Sequence, residues 1–183
     1  MKRANGIAIV RLTAIGLLAL ASCSPAVSDA PTQASASATQ AARLHPESGL
    51  EVIPVDVASG GKVHRFEVEV ARSRLEQAKG LMFRRAMGAD EGMLFPLEEP
   101  RRASFWMRNT VIPLDIIFIG ADGRILNVAA NAVPYSEDQV RSVGVTSAVL
   151  ELNGGRAAEL GIVAGDKVTW GGSKPLASHA PGR

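Results

Sequence analysis

The 183-residue sequence predicts a mainly β domain of α+β character: a compact rolled sheet, sandwich or barrel with one or two short helices. Three observations lead there. Apolar residues recur with a period of two, as Phe66, Val68 and Val70 do against Arg65, Glu67 and Glu69, the pattern of a half-buried strand. Glycine-bearing turn signals, Ser59-Gly60-Gly61 and Asp122-Gly123, punctuate the apolar runs. Helical signals are few and short.

Before that domain the chain carries an address. Lys2-Arg3 form a charged start, and Leu12 to Ala21 form an apolar stretch of about ten residues, short of the ~20 that a membrane-spanning helix needs. The stretch ends Leu20-Ala21-Ser22-Cys23, which resembles a bacterial lipoprotein box, with residues 1–22 as the signal peptide and the chain's single cysteine at the acceptor position. That resemblance implies acylation of Cys23 and membrane lipid as a partner. Ser24 rather than Asp at the next position implies transfer to the periplasmic face of the outer membrane. Residues 23–49 then read as a lipidated, disordered tether, rich in Ala, Ser, Thr, Pro and Gln and without an aromatic residue. The domain is expected over residues 50–171 and a disordered tail over 172–183.

Within the domain, Ile53, Val55 and Val57 form a first strand, with Pro54 suggesting a sheet edge, and Phe66 to Val70 its hairpin partner. Ser73 and Glu76 form a capping box for a short helix closed by Gly80. Leu114 to Ile119 is a continuous apolar strand, and Ile125 to Val133 returns beside it after Asp122-Gly123. Ala148 to Leu152 and Lys167 to Trp170 add two more strands. Between them Asn153 is placed to cap a second helix running to Leu160 and stopped by Gly161.

Charge excludes one class of partner. The net charge of +2 includes Lys2, Arg3 and Arg11; without these three, 17 basic side chains face 18 acidic ones, a net −1. With aromatic content of 4% besides, no nucleic-acid footprint or stacking platform is expected. A single cysteine excludes an internal disulfide, a cysteine-cluster zinc site and a CxxC redox pair. His45, His64 and His179 lie outside the motif-rich blocks, which supports neither a Ser-His-Asp triad nor a histidine metal site. Ser104 has no evident base, and Gly161 and Gly165-Asp166 fit a tight turn rather than a phosphate loop. No cofactor is expected.

One stretch departs from the rest. Between Met82 and Met107 lie four of the five methionines together with Phe83, Phe95, Phe105 and Trp106, bracketed by Arg84, Arg85, Arg101, Arg102 and Arg108. These residues form either the core or a groove for a ligand or partner. The blocks Gly80-Leu81-Met82-Phe83-Arg84, Gly92-Met93-Leu94-Phe95, Phe105-Trp106-Met107-Arg108-Asn109-Thr110, Pro113-Leu114-Asp115-Ile116-Ile117-Phe118, Leu150-Glu151-Leu152 and Gly165-Asp166-Lys167-Val168 resemble, in order, the signatures of the DUF192 family of bacterial and archaeal domains. The resemblance implies a mainly β fold of about 110 to 120 residues, often behind an export signal, and no particular reaction.

The polar residues of these blocks have both structural and functional readings. Asn109-Thr110 can bond the backbone of the turn before Pro113, Arg108 can pair with Asp115, and Glu151 can face solvent opposite Leu150 and Leu152. The functional expectation is a pocket in which Met82, Trp106 and Met107 form an apolar wall and Arg84, Arg108, Asn109, Asp115 and Glu151 direct a small envelope ligand: a peptide, glycan or lipid fragment. Two other readings stay open. Asp115 and Glu151 could serve as the acid and base of a hydrolase, or the Met- and aromatic-rich surface could dock an envelope protein.

Overall fold

The computed structural model describes residues 43–171; the expected signal peptide, Cys23, the expected tether as far as residue 42 and the expected tail from 172 lie outside the described residues. In chain order the elements are β1 (Arg43–Leu44), β2 (Glu51–Ser59), β3 (Lys62–Val70), α1 (Arg74–Lys79), β4 (Glu91–Arg101), β5 (Ser104–Phe105), β6 (Leu114–Gly120), β7 (Ile125–Ala132), β8 (Val140–Arg141), β9 (Thr146–Asn153), α2 (Arg156–Leu160) and β10 (Lys167–Trp170). The fold is mainly β. An eight-stranded mixed sheet runs β1-β2-β3-β4-β9-β6-β7, with β10 also paired to β2, and it does not close into a barrel. A two-stranded ribbon, β5 with β8, lies apart from it.

Gly60 and Gly61, both at positive φ, make the β2–β3 turn, and Val55, Val57, Phe66 and Val68 bury one face of that hairpin. Its other face is polar, where Arg65 grips Asp56 through two 2.7 Å hydrogen bonds. Pro54 does not mark a sheet edge. It falls where β2's outer neighbour changes, past β1 opposite Glu51 and Val52 and before β10 opposite Val55 to Ala58, a gap in which the missing N–H costs no ladder bond. The β1 strand, Arg43–Leu44, pairs with β2 inside the segment expected to be tether.

Apart from Asp115, the strand β6 is an apolar run because both its faces are covered. Ile117 and Ile119 join Leu94, Leu150, Leu152 and the hairpin in one core cluster, while Leu114, Ile116 and Phe118 join Met93, Phe95, Met107 and Val149 in a second on the opposite face. Each fully buried Phe or Ile contributes roughly 1.5–3 kcal/mol. The β4 strand, with no alternation to announce it, takes Gly92 to Phe95 between β3, its parallel partner, and β9. Gly92 is required there, since a Cβ would lie 2.5 Å from the Glu151 carbonyl oxygen.

Helix α1 forms as its capping box predicts, Glu76 N–H donating to Ser73 Oγ and Glu76 Oε2 accepting from Ser73 N–H. Helix α2 differs. Its N-cap is Gly155, and Asn153 instead donates to the carbonyls of Met87 and Gly88. The capping oxygens come from Asp115 on β6, four elements earlier in the chain, whose Oδ2 accepts from Ala157 N–H at 2.7 Å and whose Oδ1 accepts from Gly155 N–H at 2.9 Å and Asn131 N–H at 2.8 Å.

Candidate functional site

The Met- and aromatic-rich stretch proves to be both core and groove. Met93, Phe95 and Met107 are core, whereas Trp106 and Phe83 are exposed and Met82 is half-buried. Phe95, Phe105 and Phe118 stack edge to face, with ring centroids 5.2 and 6.1 Å apart. On this aromatic row opens a cavity of about 270 Å³, walled by the C-terminal end of α1, the Gly80-Leu81-Met82 turn, β4, β5 and the Trp106–Thr110 segment.

Backbone clasps shape the wall. Phe83 N–H donates to the Asn109 carbonyl at 2.8 Å, and Asn109 Nδ2 donates to Met82 Sδ at 3.8 Å. Asn109 and Phe83 both have positive φ, 57° and 64°. Asparagine tolerates this backbone, but a phenylalanine does not adopt it without strain, so the turn carrying Met82 is held against its local preference.

The floor holds the most unusual group. Glu151, on β9, is 4% exposed and lines the cavity together with the buried Phe95 and Thr110. Its in-register neighbours are Met93 on β4 and Ile116 on β6, neither of whose side chains makes a hydrogen bond to it. Among the described residues its carboxyl group has no hydrogen bond and no ion pair. Burial alone pushes its pKa from the ordinary 4.5 to about 8, so at neutral pH it is a carboxylic acid with an O–H to donate and a carbonyl to accept. Glu151 therefore does not face solvent. The alternation that places it opposite Leu150 and Leu152 turns it toward the second core cluster, whose cover over this strand is incomplete.

Around the mouth stand cations. Arg108 is exposed, with its guanidinium carbon 5.6 Å from the Trp106 ring centroid and a 3.8 Å contact to Glu137. Lys79 and Arg101 also line the opening, and their side chains have no ion-pair or hydrogen-bond partner among the described residues.

Of the residues expected at a ligand site, the structure brings together Met82, Trp106, Arg108 and Glu151 around this cavity, and sets Asn109 behind Met82. Met107 is core, with 1% exposure. Arg84 is buried elsewhere, its guanidinium 2.8 Å from Glu69 and 3.2 Å from Glu47. Asp115 is excluded from the site. Its register partner on β9 is Leu152, so it points to the opposite face from Glu151, and its oxygens cap α2 rather than meeting Arg108. A hydrolytic pair of Asp115 and Glu151 is thereby ruled out, because two carboxyl groups on opposite faces of a sheet cannot flank one bond. Lys79, Arg101, Phe105 and Thr110 complete the cavity. Phe105 and Thr110 stood in the same signature block as Trp106 and Arg101 among the arginines that bracket it, whereas nothing in sequence ties Lys79 to them. Among the described residues no three His, Cys, Asp or Glu side chains converge on a metal-sized site, and no helix is long and apolar enough to cross a membrane.

Comparison with known proteins matches residues 55–170 to the DUF192 model, described as Uncharacterized ACR. No curated protein matches the chain. Solved structures that match include two crystal structures. One is a protein of unknown function from Novosphingobium aromaticivorans, 57% identical, with a TM-score of 0.70 over 72% of this chain and 94% of its own. The other, from Sinorhizobium meliloti and described as a suspected transcription regulator, is 39% identical, with a TM-score of 0.65 over 66% of this chain and 95% of its own.

Proposed function

The chain belongs to the DUF192 family, and for this member we propose a binding function: an envelope lipoprotein whose β domain holds a small ligand in the cavity above Glu151. The supporting observation is the unpartnered carboxyl group at the cavity floor. No group among the described residues hydrogen-bonds this carboxyl, whose oxygens open on the cavity, so a ligand there can make the bonds that the protein does not, each worth ~0.5–1.5 kcal/mol. Apolar walls with a few directed polar groups are the usual build of small-molecule sites, and 270 Å³ lies just below their ~300–1,000 Å³ range. The occupant is thus a small molecule or the end of a longer one, consistent with a peptide, glycan or lipid fragment.

The transcription-regulator description of the Sinorhizobium protein is not carried over. The two helices among the described residues span six and five residues, too short to read a major groove.

The binding reading is tested by a fragment screen on the isotope-labelled full chain in detergent micelles, following the Trp106 indole signal. Some fragments should shift that signal in the wild type and fail to do so in Glu151→Leu. A broad library of acids, amides and sugars that leaves it unmoved would overturn the proposal. Placement at the membrane rests on Cys23, which lies outside the described residues. Cys23→Ser should move the protein from the membrane fraction to the soluble periplasmic fraction, since single or multiple acyl chains add ~0.8 kcal/mol per buried CH₂ to anchoring. Retention in the membrane fraction would refute the anchor.

A further inference from the structure

Building on that binding reading, we infer that the cavity selects a small organic acid carrying an amide group next to an apolar side chain, the chemistry of an N-acyl amino acid or the carboxyl-terminal residue of a short peptide. Three independent features of the same cavity require the three parts of such a ligand.

The anionic part is set by the mouth. Lys79 from α1, Arg101 from β4 and Arg108 from the Trp106–Thr110 segment converge on one opening from three different elements. Two of them have no partner among the described residues, and Arg108 has only the long 3.8 Å contact to an exposed Glu137. No carboxylate lines the opening other than Glu151, which lies at the floor. A cationic ligand would meet like charge on entry, while a carboxylate would find planar guanidinium forks to receive it.

The neutral part is set by the floor. The Glu151 carboxyl group presents one donor and one acceptor side by side, which is the complement of an amide's C=O and N–H. Charged groups approach this carboxyl only from the mouth, since its neighbours on β4 and β6 are Met93 and Ile116. No cation stands beside Glu151 at the floor, where a carboxylate ligand would be desolvated without compensation, so the anion belongs at the mouth and the amide beneath it. The apolar part is set by the wall: Met82, Leu97, Phe105 and Trp106 offer a flexible thioether and aromatic faces to an aliphatic or aromatic side chain.

Three matched probes separate these features in the full chain in micelles: N-acetyl-L-leucine (an anion with an amide), N-acetyl-L-leucinamide (neutral) and L-leucinamide (a cation). The Trp106 indole signal reports occupancy of the cavity. N-acetyl-L-leucine should bind about tenfold more tightly than the neutral amide at low salt, a step of ~1.4 kcal/mol. That preference should shrink when ionic strength is raised to about 0.5 M, where exposed charges are screened within a few ångströms. The cation should bind weakest. Arg101→Gln with Arg108→Gln should abolish the anion's advantage over the neutral amide. Glu151→Gln should retain binding, since its amide still offers a donor and an acceptor, and Glu151→Leu should lose it. Equal binding of all three probes would overturn the selectivity while leaving the cavity a binding site. Binding of unrelated fragments with none of these probes would likewise overturn this inference alone, and a cavity that accepts nothing would overturn both readings.

Discussion

Replacing Glu151 with Gln separates the charge of this buried group from its shape. The side chains are nearly isosteric, but only glutamate can ionise. With a folded pKa of about 8 against 4.5 for an ordinary carboxyl, the folded protein holds a proton that the unfolded chain has released anywhere between those values. Unfolding then releases a proton, so wild-type stability falls as pH rises through this window and levels off above about 8. The shift of some three to four pH units corresponds to roughly 4–5 kcal/mol at 1.36 kcal/mol per unit, an upper bound to be eroded by water entering the cavity. Glu151→Gln lacks this term, whatever constant cost its buried amide carries. Urea unfolding of both proteins at pH values from 4.5 to 9 measures the difference directly. The variant should gain on the wild type by several kcal/mol across the series, with the steepest change between pH 5 and 8. Other titrating groups are common to both proteins and cancel. A difference that stays flat with pH would mean that Glu151 ionises normally in the folded state, which would remove the neutral donor and acceptor on which the binding proposal depends.

Three further outcomes follow from the packing. Asp115→Ala should destabilise the fold by about 3–5 kcal/mol in urea titrations, because it leaves the buried amide of Ala157 and the amides of Asn131 and Gly155 without their acceptor; a loss below 1 kcal/mol would show that α2 is capped some other way. Arg84→Met should cost about 3–5 kcal/mol by leaving Glu69, 3% exposed, without its guanidinium partner, and adding Glu69→Gln should restore much of that in a double-mutant cycle; additive losses would argue against a direct pairing. Gly92→Ala should lower stability by at least ~1–3 kcal/mol, since its methyl would press on the β9 backbone at Glu151, and unchanged thermal unfolding would contradict the observed β4–β9 approach.

What could be read before folding was whatever depends on neighbours in sequence. The β2–β3 and β6–β7 hairpins, the α1 capping box and the buried β6 strand each rest on residues a few positions apart, whose alternation or turn chemistry specifies the element locally. The β4 strand escaped because its buried Gly92 to Phe95 segment has no alternation, and its parallel pairing with β3 has no short turn to announce it. Asn153 was a reasonable cap for α2 on spacing alone, yet a carboxylate 38 residues earlier took that role because the β6–β9 pairing delivers it there.

The site divides the same way. The sequence by itself determined which residue types cluster: a short apolar N-terminal stretch ending at the lone cysteine, a nearly neutral remainder, and a Met-, aromatic- and Arg-rich stretch carrying the DUF192 signature. Only the tertiary structure decided that Asp115 and Glu151, each flanked by apolar neighbours, face opposite sides of one sheet. A one-residue offset in the β6–β9 register sets Asp115 beside Leu152 and Glu151 beside Ile116, and period-two alternation does the rest. One carboxylate is thereby spent on three backbone amides, and the other is left unpaired at the floor of a cavity.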